Sequence, residues 1–173
     1  SNRFNQVERL SQQPRRRIKG NTVLKSIDNS DLWHLFEDDP VRPHLSPSYR
    51  TSPGRQAFVL YSRNDIRPRA RAVICVAYTN QIPENESQLD LYSQAAAQED
   101  EYASTAVFYT VWSYDRGAGR DIVFAAQSWI KEHKGCTRYV TLSPLTEMAE
   151  RFHIKNGAKL VYRGDTCQNF EYA

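Results

Sequence analysis

The chain has 173 residues, 40% apolar and 25% charged, which is the size of one ordinary domain with enough apolar residues to bury a core. A formal charge of +3 excludes a protein that holds nucleic acid through bulk positive field, and no apolar run approaches the roughly 20 residues that span a bilayer. The charge is laid out in blocks: +7 over residues 1–71, −7 over 72–115 with no Lys or Arg at all, and +3 over 116–173, so a local anion site stays open in either basic block.

No apolar leader opens the sequence, and Cys75, Cys136 and Cys167 are too widely spaced for a CxxC pair. They read as reduced, buried thiols, and the expected location is the cytoplasm. The four histidines show no metal-ligand spacing, so no metal is expected. The sharpest charge run is Pro14-Arg15-Arg16-Arg17-Ile18-Lys19, either a solvated arm or a phosphate or partner contact. Asp28-Asn29-Ser30 offers caps for a short helix through Leu32, Trp33 and Phe36. Residues 40–54 hold four prolines and are expected to be irregular.

Ala57 to Tyr61 reads as a strand. Arg71 to Tyr78 and Thr105 to Trp112 are apolar on both parities, the mark of strands covered on both faces. Between them, residues 81–101 are acidic and partly helical. Arg116-Gly117-Ala118-Gly119-Arg120 leads into a helix carrying Ile122, Ala125, Ala126, Trp129 and Ile130, which Gly135 stops. Cys136 to Leu142 reads as a strand, and Ser143-Pro144 as the cap of a second helix that Gly157 stops at its C′ position. Residues 159–163 and 167–172 suit a closing strand pair. Strands first, then alternating strand and helix, give an α/β domain on one mixed central sheet with flanking helices.

A glycine turn between a central strand and a helix gathers backbone N–H groups at the positive end of a helix dipole. Gly117 and Gly119 carry no Cβ to block a phosphate, and Arg116 and Arg120 flank it. Asp121, in the first helical turn, suits the dipole and would repel that phosphate. A plain helix-entry turn explains the same residues. The run RGAG after an apolar strand resembles the coenzyme A pyrophosphate loop of the GNAT N-acetyltransferase fold, with Asp121 as a departure from its pattern.

Further motifs resemble the catalytic domain of malonyl-CoA decarboxylase, which has that fold. Val7-Glu8-Arg9-Leu10-Ser11 is similar to its opening strand, Val73 to Thr79 with Ile82-Pro83 to a second, and Ala106 to Thr110 to a third. Thr141-Leu142-Ser143-Pro144 matches its LSP motif, Phe152-His153-Ile154-Lys155-Asn156-Gly157-Ala158 its FHxxNGA motif, and Asn169 to Tyr172 its NYxY motif. The resemblance covers residues 1–173 as one acyl-CoA domain, with 1–20 as a basic arm plus first strand. The family's helical N-terminal domain and the insertion between LSP and FHxxNGA have no counterpart.

The resemblance implies catalytic positions at His153, Ser143, Tyr172 and Thr110, and cofactor contacts at Arg116, Gly117, Ala118, Gly119 and Arg120. It implies a CoA or carrier-protein thioester as substrate, without metal, nucleic acid or membrane, and leaves the oligomeric state open. His153, with an unperturbed pKa near 6.5, would supply or relay a proton. Ser143 alone reads equally as an N-cap, Tyr172 as a packing residue, and Asn156-Gly157 as a helix C-cap. Arg67, Arg69 and Arg71 share one parity and read as a solvated face or a contact for the 3′-phosphate of CoA. If residues 144–156 form one straight helix, Ser143 and His153 stand ~15 Å apart, too far for a shared hydrogen bond. Two other functions fit the residues: an N-acyltransferase whose acidic 84–101 segment lines a groove for a cationic acceptor, and a non-catalytic acyl-CoA-binding domain.

Overall fold

The computed structural model describes residues 22–63, 67–99 and 103–173. In chain order the elements begin with β1 (Thr22–Ser26), a 3-10 helix (Ser30–Asp38), the one-turn α1 (Pro47–Arg50), β2 (Arg55–Ser62) and β3 (Arg69–Thr79). There follow α2 (Glu86–Ala97), β4 (Thr105–Ser113), α3 (Ala118–His133) and β5 (Arg138–Thr141). The chain closes with β6 (Ser143–Pro144), α4 (Glu147–Lys155), β7 (Lys159–Arg163) and β8 (Cys167–Tyr172). Among the described residues no helix is long and apolar enough to cross a membrane.

The strands form one mixed sheet in the order β1-β2-β3-β4-β5-β8-β6, with β7 also on β8. Among the described residues only β4 and β5 run parallel, the pairing that α3 connects. The apolar character of β3 and β4 on both parities follows from two covered faces. On one, Ile122, Val123, Ala126 and Ile130 of α3 meet Phe58, Ile74, Val76 and Phe108. On the other, Leu35 and Phe36 of the 3-10 helix and Leu89 of α2 meet Val59, Val73 and Val107. All three cysteines are free and buried, as expected.

Two irregularities in β4 open the sheet. Cys75 opposes Thr110 and Val76 opposes Phe108, so Tyr109 is the extra residue of a bulge. The parallel ladder with β5 ends at Phe108, whose carbonyl accepts from Leu142 N–H at 3.0 Å. Beyond it β4 continues on β3, while the other wall turns away through β6, where Ser143 pairs with Gln168 and Pro144 with Cys167. Beyond Phe108 no ladder joins the two walls among the described residues, and this unpaired stretch is the gap between them.

Several local expectations are corrected. Ser143 caps no helix: pairing with β8 draws Ser143-Pro144 into the sheet, and Thr146 caps α4 instead, its hydroxyl accepting from Ala149 N–H at 3.2 Å. The proline-rich stretch is not wholly irregular, because Ser46 caps α1 and Pro47 fills its first turn. No strand was expected at residues 22–26, where β1 adds to the edge of β2. The strand expected at Val7 to Ser11 and the basic arm of 1–20 lie outside the described residues.

Candidate active site

The glycine turn follows directly from β4. Gly117 has φ +83, a left-handed conformation that glycine adopts without strain, and it starts α3. The first α-helical bond runs from Asp121 N–H to the Gly117 carbonyl at 3.1 Å, so the N–H groups of Gly119 and Arg120 leave the first turn without an intrahelical acceptor. Phe152 of α4 lies against the turn: a Cβ at Gly119 would stand 3.4 Å from its ring. Arg116 and Arg120 are exposed, Arg120 over the Phe124 ring, whereas Ala118 is buried against the sheet. Arg69 and Arg71, expected on a solvated face or on a phosphate, both donate to Asp115 just before the turn. Burial opposes ionisation of Asp115, but hydrogen bonds and charge from the two arginines hold its pKa below the ordinary value.

His153 and Tyr172 come together. The Gly157 N–H bonds to the Ile154 carbonyl and the Ala158 N–H to the His153 carbonyl, so a Schellman turn ends α4 and fixes His153 one turn before it. The ring is 6% exposed, packed on Phe152 and Phe170, and its Nδ1 lies 2.8 Å from Tyr172 Oη. Tyr172 in turn packs edge-on against Phe124 of α3. Burial raises the Tyr172 pKa, so its hydroxyl stays protonated; it donates to Nδ1 when the ring carries Nε2–H and accepts when the ring carries Nδ1–H. In the first tautomer the single N–H of the neutral ring is on Nε2, for which no hydrogen-bond partner is found among the described residues. Burial also lowers the His153 pKa from 6.5 to about 4. The expected acid with an unperturbed pKa is corrected: His153 is a neutral imidazole at pH 7.

The other two predicted catalytic residues have different partners. Ser143 is 3% exposed at the rim of the gap, its Oγ 2.8 Å from Thr141 Oγ1, which itself accepts from Phe170 N–H at 3.1 Å. No hydrogen bond joins Ser143 to His153, and α4 is shorter than the straight 144–156 helix considered from the sequence. Thr110 donates to Asp39 Oδ1 at 3.0 Å on the face opposite α3.

That contact leads to a polar cluster that motif reasoning missed. Arg50 and Asp39 form an ion pair at 2.7 Å with both side chains fully buried. Arg50 also donates to the carbonyls of Arg42 at 2.7 Å and Leu45 at 3.1 Å, with its guanidinium over the rings of Phe36 and Trp112. Arg42, 2% exposed, donates to the Tyr109 carbonyl and to Glu86. The usable signal was Asp39 before Pro40: its carboxylate accepts from Val41 and Arg42 N–H as a turn-forming Asp does. On the same face, a cleft of about 270 Å³ between α1 and α2 is lined by Tyr49, Glu86 and Asp90.

No protein-family model matches this chain. No curated protein matches it either. Solved structures do. Malonyl-CoA decarboxylase from Agrobacterium vitis superposes with a TM-score of 0.53 and 22% identity over 76% of this chain and 35% of its own. The GNAT domain of S. lividans PAT gives 0.56 and 14% over 89% and 91%. Arabidopsis thaliana NAA60, solved in complex with acetyl-CoA, gives 0.55 and 12% over 88% and 98%. At these identities the likeness shows the fold, which is the GNAT fold that the glycine turn and the later motifs pointed to. The chain spans about a third of the length of the decarboxylase it resembles.

Proposed function

We propose that this GNAT-fold domain binds an acyl-CoA thioester at the glycine turn and the gap beside β4, and decarboxylates a malonyl thioester. The observation that carries the reading is the 2.8 Å Tyr172–His153 hydrogen bond, which in the Nε2–H tautomer leaves that N–H without a partner among the described residues, on the α4 segment whose Phe152 lies against the glycine turn. Phosphates would sit on the N–H groups of Gly119 and Arg120, with Arg116 and Arg120 alongside. Ser143 would orient the carboxylate, and backbone N–H groups around Thr110 to Trp112 would meet the thioester oxygen. Thr110 enters as a tether for Asp39.

In the reaction the bond between the α-carbon and the carboxylate breaks, CO2 leaves, and its electron pair becomes an enolate charged on the thioester oxygen. The α-carbon then needs a proton. A neutral buried imidazole suits a relay: Nε2–H passes to carbon while Nδ1 takes the Tyr172 proton, so the ring never holds the charge that burial opposes. Burial opposes the Tyr172 phenolate as well, so it takes a proton from solvent at once, and the products are an acetyl thioester and CO2. A CoA or a carrier-protein thioester fits this chemistry equally.

Glu86 and Asp90 in the cleft favour a second reading, an N-acyltransferase with a cationic acceptor, although both already face arginines. Separate partners for Ser143 and His153 favour a third, a non-catalytic acyl-CoA binder. Incubation with malonyl-CoA, followed for acetyl-CoA and CO2 with and without an amine, separates them. Release of CO2 without an amine, lost in His153→Ala, is the expected result. No product and no CoA binding by calorimetry would remove the whole acyl-CoA reading.

A further inference from the structure

We infer that Arg42 is a catalytic residue of this site, its guanidinium taking the negative charge that develops on the thioester oxygen; the inference rests on the acyl-CoA reading above. Its position is the first argument. Nη1 donates to the carbonyl of Tyr109, the extra residue of the β4 bulge. Nη2 lies 3.8 Å from Cys167 Sγ on β8, where Cys167 pairs with Pro144 and the next register step is Ser143. The guanidinium therefore spans the gap from one wall to the other, at the level of Ser143.

The second argument is electrostatic. The Arg42 side chain is 3% exposed, and its ion partner is Glu86, at Nε, 3.0 Å away. Glu86 is itself 41% exposed and shared with His44 at 2.8 Å. The two terminal nitrogens meet only a backbone carbonyl and a cysteine sulfur. A guanidinium has five N–H bonds, and two of these find no acceptor among the described residues. A cation buried with so little compensation is costly unless an anion arrives to meet it.

The third argument is preorganisation. Asp39 accepts the Arg42 N–H at 2.9 Å and Arg50 donates to the Arg42 carbonyl at 2.7 Å, so a fully buried ion pair fixes the peptide groups on both sides of this residue. Such a fixed cation stabilises charge without reorganising during the reaction. Chemistry decides which charge. Decarboxylation moves electrons away from the carboxylate and onto the thioester oxygen, so a cation at that oxygen gains as the reaction proceeds. Acyl transfer builds an oxyanion on the same atom, and Arg42 serves either reaction.

Isotope-edited infrared spectroscopy of carbonyl-labelled acetyl-CoA on the full chain tests this without needing turnover. The carbonyl stretch is expected to fall to lower frequency on wild-type protein. In R42Q most of that shift is lost while affinity stays within ~3-fold, and any malonyl-CoA turnover falls by ~10²–10³-fold, as for loss of one oxyanion donor. R42K gives an intermediate shift, and it is the variant to read if R42Q does not fold. A wild-type shift in R42Q, or in R42K where R42Q fails to fold, overturns the inference, as does a wild-type protein that binds acetyl-CoA with no shift. Loss of the shift in R42Q with no CO2 from malonyl-CoA keeps the role of Arg42 and removes only the decarboxylase reading. Failure of wild-type protein to bind acetyl-CoA removes both.

Discussion

His153 holds its proton less tightly in the folded chain than in the unfolded one, because an imidazolium among Phe152, Phe170 and Tyr172 loses its hydration. Above pH 6.5 both forms are neutral and the group contributes nothing to pH dependence. As pH falls from 6.5 towards about 4 the unfolded chain takes the proton first, and stability is lost through that window. The loss reaches roughly 3 kcal/mol below pH 4, from 1.36 kcal/mol per pKa unit. The variant H153F has no such proton. Its stability relative to wild type should therefore improve by about 2 to 3 kcal/mol between pH 7 and pH 4.5, read from denaturant midpoints. A constant difference across that range would mean that His153 titrates near 6.5, and the neutral relay would fail with it. Motif spacing marked His153 and Tyr172, but their pairing depends on β8 returning beside β5 and on packing by Phe124 and Phe170, neither of which is local to His153 in sequence.

Helices α3 and α4 were legible because their signals are local: apolar spacing along α3, and glycines with φ of +74 and +98 at residues 135 and 157 where they stop. Ser143 was misread for the complementary reason. Ser-Pro is a valid cap signal, but what overrides it lies far along the chain: Gln168 pairs with Ser143 and its side chain bonds the Pro144 carbonyl 24 residues away. Arg42 and Arg50 were not legible at all, since arginines in a proline-rich stretch read as solvated until the fold buries them. Two glycines, Gly119 in the first turn of α3 and Gly135 just past its end, separate binding from folding. Gly119→Ala adds helix propensity worth about 1 kcal/mol against a 3.4 Å contact with Phe152, so melting should change little. The methyl would press on Phe152 beside the Gly119 N–H proposed to hold a phosphate, and CoA affinity should fall at least ~10-fold by calorimetry. Gly135→Ala meets no atom within 4 Å but forces φ +74 on alanine, costing about 1 kcal/mol while leaving CoA affinity alone. Equal CoA affinity in wild type and Gly119→Ala would move the phosphates away from this turn.

Across the whole molecule, the blocks of opposite charge turn out to be partners. Arg42 pairs with Glu86, Arg55 with Asp90, and Arg69 and Arg71 with Asp115, each pair joining the basic first block to the acidic second one. Composition by segment showed both blocks and could not show that the fold sets one against the other. Most of these pairs have at least one partly exposed member and contribute little each. Arg50 with Asp39, a pair within the first block, differs from all of these: both side chains are fully buried. Removing Arg50 strands a carboxylate under the sheet, still facing Thr110 Oγ1 and two backbone N–H groups but without a countercharge. Arg50→Met should cost about 3 to 5 kcal/mol, measured as a lower denaturant midpoint at unchanged slope. Adding Asp39→Asn removes the stranded charge and should return a large part of that loss, the coupling expected of direct neighbours. The double variant should still leave Arg42 loosely held, because the Arg50 donor to its carbonyl is gone. Stability and thioester polarisation then part company: the denaturant midpoint recovers while the infrared shift of bound acetyl-CoA does not. Recovery of both together would mean that the ion pair holds the fold without positioning Arg42.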